Sequence, residues 1–111
     1  MSPLSDSWQE MLEAARSVDQ RYQDLDRERL GRIWSTTEFL AACSTDWGEL
    51  VEGIMKWEGI RPGEADKEAI EHELADMLWA LIVLSDRLDI DLRQALLQTM
   101  QGLHSRLDDR Q

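Results

Sequence analysis

Apolar residues recur at intervals of three and four along most of the chain, a spacing that predicts four helices and no strands. The first helix is expected from about Ser5 to about Leu25, with Trp8, Met11, Leu12, Ala15, Val18 and Tyr22 recurring at helical intervals. Pro3 and Ser5 or Ser7 suit its start. A polar connector is expected from Asp26 to Gly31. The second helix should begin near Ser35, because Ser35 and Glu38 have capping-box spacing. It carries Phe39, Leu40, Cys43, Trp47, Leu50 and Ile54 and ends near Glu58, where Gly59 and Pro62–Gly63 stop it. The third spans about Glu64 to Leu88. Its second half, Met77 to Leu84, is apolar all round and so predicts a central, fully buried helix. The fourth starts at Asp91, with Gln94 in a second capping-box position, and continues through Leu92, Ala95, Leu96, Met100, Leu103 and Leu107. The tail from Asp108 to Gln111 is expected to fray.

Two carboxylate pairs interrupt the apolar stripes. On the second helix the stripe reads Phe39, Ala42, Asp46, Glu49, Gly53, Trp57, with Glu52 a turn beyond Asp46 and Glu49. On the third it reads Ala69, Glu73, Asp76, Ala80, Val83. Spacing of i, i+3 places both members of a pair on one side of a helix. A carboxylate facing a core is costly unless a cation or donor meets it, and no arginine or lysine shares these stripes. The connection after Glu58 is short, so the second and third helices should form an antiparallel hairpin. Both pairs then lie at similar depth from its turn near Arg61. Inward carboxylates at matching depth on neighbouring helices predict a shared site for hard divalent ions, with Asp46, Glu49, Glu73 and Asp76 as ligands.

Composition narrows the reading. A chain of 111 residues is expected to form one domain over 1–111. Twelve basic against 23 acidic residues leave a net charge of −11. That argues against DNA, RNA or an anionic membrane as partner, and against a free polyanion unless cations screen the site. Cys43 is the single cysteine, so no intrachain disulfide forms, and a reducing cytoplasm fits. On an apolar helical face, Cys43 reads as a small buried thiol. No run is long enough to span a membrane, and the polar N-terminal stretch does not read as a signal peptide. The apolar area on the third and fourth helices exceeds what one small hairpin covers, so a homodimer or homotetramer is expected.

The runs Asp46–Lys56, Glu73-Leu-Ala-Asp-Met-Leu-Trp79 and Asp89-Ile-Asp-Leu92 resemble MazG-like nucleotide pyrophosphohydrolases, of the all-α NTP pyrophosphatase superfamily. The resemblance covers about Trp34 to Leu96. It implies an all-α, four-helix MazG-like bundle completed by homo-oligomerisation. It also implies an enzyme that hydrolyses a nucleoside triphosphate, NTP or dNTP, to the monophosphate and pyrophosphate. Magnesium, or manganese, would be held by Asp46, Glu49, Glu73 and Asp76, bind the phosphates and activate a water. Glu49 and Glu52 are the catalytic candidates, Glu52 either completing the metal shell or acting as a base, or else standing as an ordinary exposed glutamate. The family's Glu-Glu-x-x-Glu begins here with Thr45 and a shortened Asp46. A lysine and an asparagine found on the last helix of many relatives correspond to Thr99 and Leu103. Lys56, Arg93 and Arg106 are the nearest basic candidates for phosphate. These departures keep open an alternative: a non-catalytic helical protein that binds nucleotide or a protein partner.

Five tryptophans in a short chain fit either core packing or stacking against a base. Trp34 and Trp47 are the base-pocket candidates, with Trp57 next, while Trp79, in the all-apolar stretch, reads as core. His72 and His104 read as surface or packing residues. Neither stands in the Glu-x-x-His pattern of di-iron bundles.

Overall fold

The computed structural model describes the backbone of residues 3–110 and the side chains from Ser7 to Arg110. The described residues form four helices and no strands: α1 (Pro3–Leu30), α2 (Thr36–Trp57), α3 (Lys67–Arg87) and α4 (Leu92–Asp108). The capping roles expected of Pro3 and Ser5 lie outside the described side chains.

Three boundaries differ from the sequence expectation. The stretch from Asp26 to Leu30 is helical rather than a connector. It is polar but contains no breaker, and the helix stops at Gly31. There a φ of +76° gives the left-handed cap that glycine adopts without strain, with its N–H donating to Arg27 O. At α3, Asp66 takes the N-cap position and accepts the Ala69 N–H at 2.7 Å, which leaves Glu64 and Ala65 in the loop. At the other end of the chain, α4 holds through Asp108, and the Asp109 N–H still donates to Ser105 O. The tail is therefore helical further than expected, and Gln111 lies outside the described residues.

The caps explain where α2 and α4 begin. Ser35 Oγ accepts the Glu38 N–H at 3.1 Å while the Glu38 carboxylate accepts the Ser35 N–H at 2.9 Å, a complete capping box. Arg32 grips the same carboxylate through both terminal nitrogens, at 2.7 and 3.0 Å. That contact, with the Ser35 N–H behind it, holds the Glu38 carboxyl down to about 2. The acid thus stays ionised, and the box intact, until pH falls far below the ordinary carboxylate range. Ser35→Ala should cost about 1 kcal/mol, read as a fall of several degrees in a thermal melt followed by circular dichroism. At Asp91 only half the expected box forms: its side chain accepts the Gln94 N–H at 3.0 Å, without the reciprocal contact from Gln94.

The core lies in the α2–α3 hairpin, where Phe39, Ala80 and Val83 are buried and Cys43, Trp79 and Leu84 pack against them. α1 lies across α3 and is pinned by polar contacts. Trp79 Nε1 donates to Ala15 O at 3.2 Å, and two ion pairs of 2.7 Å join Arg16 to Asp86 and Arg87 to Asp19. The half-buried or buried face of α1 runs Trp8, Leu12, Ala15, Asp19, Gln23, Asp26, a helical stripe that carries straight through the expected connector.

α3 is not buried all round. Ala80, Ile82, Val83 and Ser85 are buried, but Leu74, Leu78 and Leu81 form an exposed apolar face. α4 buries no residue and exposes Leu96, Leu97, Met100, Leu103 and Leu107. The radius of gyration is 17.5 Å, against about 13 Å for a compact chain of this size. Among the described residues, no helix is long and apolar enough to cross a membrane.

Candidate functional site

Helical spacing on α2 and antiparallel packing on α3 bring three of the carboxylates into one group. Oxygen atoms of Asp46, Glu49 and Glu73 all lie within 4.8 Å of one another. Asp46 and Glu73 are half-buried, and Glu49 is exposed at the rim. Glu73 Oε2 is buried with no hydrogen-bond partner among the described residues. A buried carboxylate oxygen left without a donor costs free energy, and two further carboxylates beside it add repulsion. An all-oxygen donor set of this charge fits a hard divalent ion such as magnesium or manganese, and fits soft or imidazole-seeking metals poorly.

Asp76 stands outside that group. Its carboxylate lies 3.3 Å from His72 Nε2, one turn earlier on α3. Glu52 is exposed and pairs with Lys56 at 3.3 Å. The Lys56 stem crosses the hairpin turn at Gly63, where an added Cβ would lie 3.2 Å from Lys56 Cε. With φ at +122°, Gly63 both makes the turn and leaves room for that lysine.

Two cavities of about 300 Å³ each are lined by members of the carboxylate group. One opens at the hairpin end and is lined by Glu49, Glu73, Glu52, Lys56 and Asp66 among others. The other is aromatic, walled by Trp34, Phe39, Trp79 and Tyr22, with Asp46 in its lining. Trp79 meets Phe39 edge-on at 5.6 Å and Tyr22 at 5.8 Å. Trp79 is thus both packed on the core and part of a cavity wall. Trp47 and Trp57 line no part of the aromatic cavity and are 59% and 56% exposed. Cys43 is half-buried in the aromatic wall rather than fully enclosed. Burial first, and the Asp46 carboxylate second, push its thiol above the ordinary range, so it is a neutral lining group.

An ion pair organises the aromatic wall. Arg87 donates to Asp19 Oδ1 at 2.7 Å and to Trp34 O at 3.2 Å, and its guanidinium sits 4.8 Å over the Phe39 ring. Gln23 donates to the other Asp19 oxygen at 2.9 Å. Neither Asp19 nor Arg87 is among the residues that the sequence nominates for the site. Asp19 nonetheless carries the same signal as Asp46: a carboxylate inside an apolar helical stripe.

Comparison with known proteins decides the family. The profile of the MazG nucleotide pyrophosphohydrolase domain matches residues 34–110. The chain belongs to the MazG family. Among solved structures, YPJD of Bacillus subtilis, a candidate pyrophosphatase, superposes with a TM-score of 0.58. It is 23% identical, with 79% of this chain and 92% of that one covered. At that identity the likeness shows the fold. No curated protein matches the chain. The MazG match begins at Trp34, so α1 lies outside it, although α1 supplies Asp19, Tyr22 and Asp26 to the aromatic cavity. Two departures from the MazG motifs can be placed. Thr45 is exposed, and Thr99 turns its hydroxyl back to Ala95 O at 2.7 Å within its own helix.

Proposed function

We propose that this MazG-family chain is a magnesium-dependent nucleoside triphosphate pyrophosphohydrolase, releasing the monophosphate and pyrophosphate. The observation that carries the reading is the group of Asp46, Glu49 and Glu73, with its orphaned Glu73 oxygen, whose members line both an aromatic cavity and a hairpin cavity. Those three residues would hold the ion, magnesium or manganese, and Asp76, one turn along α3 and now beside His72, would be the fourth ligand. A divalent ion there supplies charge neutralisation for the phosphates and a lowered pKa for an attacking water.

The protein groups divide the remaining work. Trp34, Phe39 and Trp79 offer a stacking wall, worth about 1–3 kcal/mol per base. Lys56, held over Gly63 by its own stem, supplies a cation in the hairpin cavity for the terminal phosphates, a role the last helix does not fill through Thr99 or Leu103. Glu52 keeps Lys56 at that position. In this reading the base takes the cavity lined by Asp46 and the phosphates take the cavity lined by Glu49 and Glu73, so the scissile anhydride would lie beside the carboxylates. Trp47 and Trp57 have no place in this arrangement.

Assembly is part of the proposal. The exposed leucines of α3 and α4, with a radius of gyration well above that of a compact chain, support a homodimer or homotetramer, and we place it in the cytoplasm as part of the same reading. The test is pyrophosphate release from a panel of nucleoside triphosphates with magnesium, manganese or chelator. Release that chelator abolishes is the expected result. No release from any nucleotide would leave a non-catalytic nucleotide-binding protein in its place.

A further inference from the structure

We propose that a second copy of the chain docks on the face of the α2–α3 hairpin turned away from α1, with Trp47 at the centre of the contact. This rests on the assembly part of the reading above and adds to it the face and the residues that carry it.

The exposed apolar residues of the two helices fall into stripes. On α2, Leu40, Trp47 and Val51 are exposed. At about 100° per residue they lie within about 40° of one another around the helix. On α3, Leu74, Leu78 and Leu81 are exposed. They span an arc of about 60° by the same rule.

Both stripes lie on one side of the hairpin. The helices run antiparallel, so the same sense of rotation away from their shared contact leads to the same side of the pair. From the contact at Phe39 and Ala80, one sense leads to Ala42 and Trp79, which line the aromatic cavity together with residues of α1. The other sense leads to Trp47 and Leu81, each turned by about 80–100°. Half-buried Cys43 and Leu84 bridge the two stripes.

This face carries no charge. Neither stripe admits a charged residue between Leu40 and Ile54 or between Leu74 and Leu88. Its hydroxyls are spent within their own helices: Ser44 donates to Ala41 O at 2.6 Å and Ser85 to Ile82 O at 2.7 Å. In a chain that is 32% charged and carries −11, such a face is where two copies meet without mutual repulsion. The area agrees. The chain exposes 8742 Å², against about 6,300 Å² for a compact monomer of this mass. Two copies together carry about 4,800 Å² of excess, within the roughly 2,000–5,000 Å² that obligate homodimers bury. Two hairpins packed face to face make a four-helix core, and the exposed stripe of α4 adds to the surface awaiting a partner.

Sedimentation equilibrium and acrylamide quenching test the assignment. Wild type should sediment as an oligomer, and Trp47→Glu should weaken association at least about a hundredfold, as expected of a central aromatic anchor. Trp57→Glu is the control. Trp57 is as exposed, at 56% against 59%, but stands five whole turns from Phe39 and so off the stripe. Its variant should keep the wild-type mass. Trp47→Phe and Trp57→Phe, which preserve apolar bulk, decide the matter if Trp47→Glu does not fold. The emission lost in Trp47→Phe should be emission that acrylamide does not reach, and that lost in Trp57→Phe emission that it does. A monomeric wild type overturns both this face and the assembly reading. An oligomer that survives in folded Trp47→Glu, that Trp57→Glu weakens equally, or whose Trp47 is quenched as readily as Trp57, overturns this face alone. Neither measurement involves turnover, so the pyrophosphohydrolase reading stands or falls separately.

Discussion

Glu73→Gln should abolish pyrophosphate release, by at least about a hundredfold, and should erase any magnesium-induced rise in melting temperature. Glutamine keeps the size and shape of the side chain while it removes the charge and turns one acceptor oxygen into an NH2 donor. Glu73 is the natural choice because its Oε2 is buried without a donor, so its ionised form has the most to gain from a cation. Ligand binding to the folded state stabilises it in proportion to the logarithm of ligand concentration over Kd. Loss of the site therefore shows as a melting curve that no longer responds to magnesium. The metal-free behaviour supplies a second, opposite signature. With three carboxylates within 4.8 Å of one another, neutralising one relieves repulsion, so metal-free Glu73→Gln should melt no lower than wild type and by this argument higher. A variant that was merely misfolded would melt lower in both conditions. A full magnesium shift in Glu73→Gln would remove Glu73 from the ligand set and with it the core of the proposed site.

How much of this is legible in the sequence varies with the kind of signal. Helix existence follows from apolar spacing, and caps such as Ser35 with Glu38 locate starts because a local side chain meets a local N–H. Polarity alone misplaces the end of α1, because a polar stretch is not a break and only Gly31 changes the backbone. The same error hides Asp26 from the cavity. The carboxylates of α2 and α3 stand out because a charged residue inside an apolar stripe needs an explanation. That criterion also reaches Asp19, between Ala15 and Tyr22, but not Arg87, whose partners lie on α1, on the 31–35 connection and on α2. Motif adjacency misleads too. Trp47 follows Asp46 in sequence, but one helical step turns a side chain about 100°, and Trp47 stands exposed. Trp79 lies three residues after Asp76 and packs where the aromatic wall forms. The exposed faces of α3 and α4 are unreadable as exposed, since apolar spacing is the same whether the covering surface is the chain's own or another copy's.

Arg87→Leu should lower stability by about 3–5 kcal/mol, whereas Arg16→Leu should cost less than about 1 kcal/mol. Both arginines join α1 to α3 through ion pairs of 2.7 Å, so distance alone does not separate them. Burial does. The Arg87 and Asp19 side chains are 14% and 10% exposed, against 49% and 33% for Arg16 and Asp86. Removing Arg87 strands the Asp19 carboxylate away from water, frees the Trp34 carbonyl and uncovers the Phe39 face, while removing Arg16 returns Asp86 to solvent. Urea unfolding measures both, and a domain with a total of about 5–15 kcal/mol registers the larger loss as a marked fall in midpoint. The double variant Asp19→Leu, Arg87→Leu decides what the pair contributes. If the cost of Arg87→Leu lies in the stranded charge, removing that charge too should recover a large part of the stability. The recovered protein should still lack function, because Trp34 is no longer fixed and the base wall is undefined. Equal costs for Arg87→Leu and Arg16→Leu would mean that Asp19 reaches water or another cation once Arg87 is gone, and that the Asp19–Arg87 pair does not hold the aromatic wall rigid.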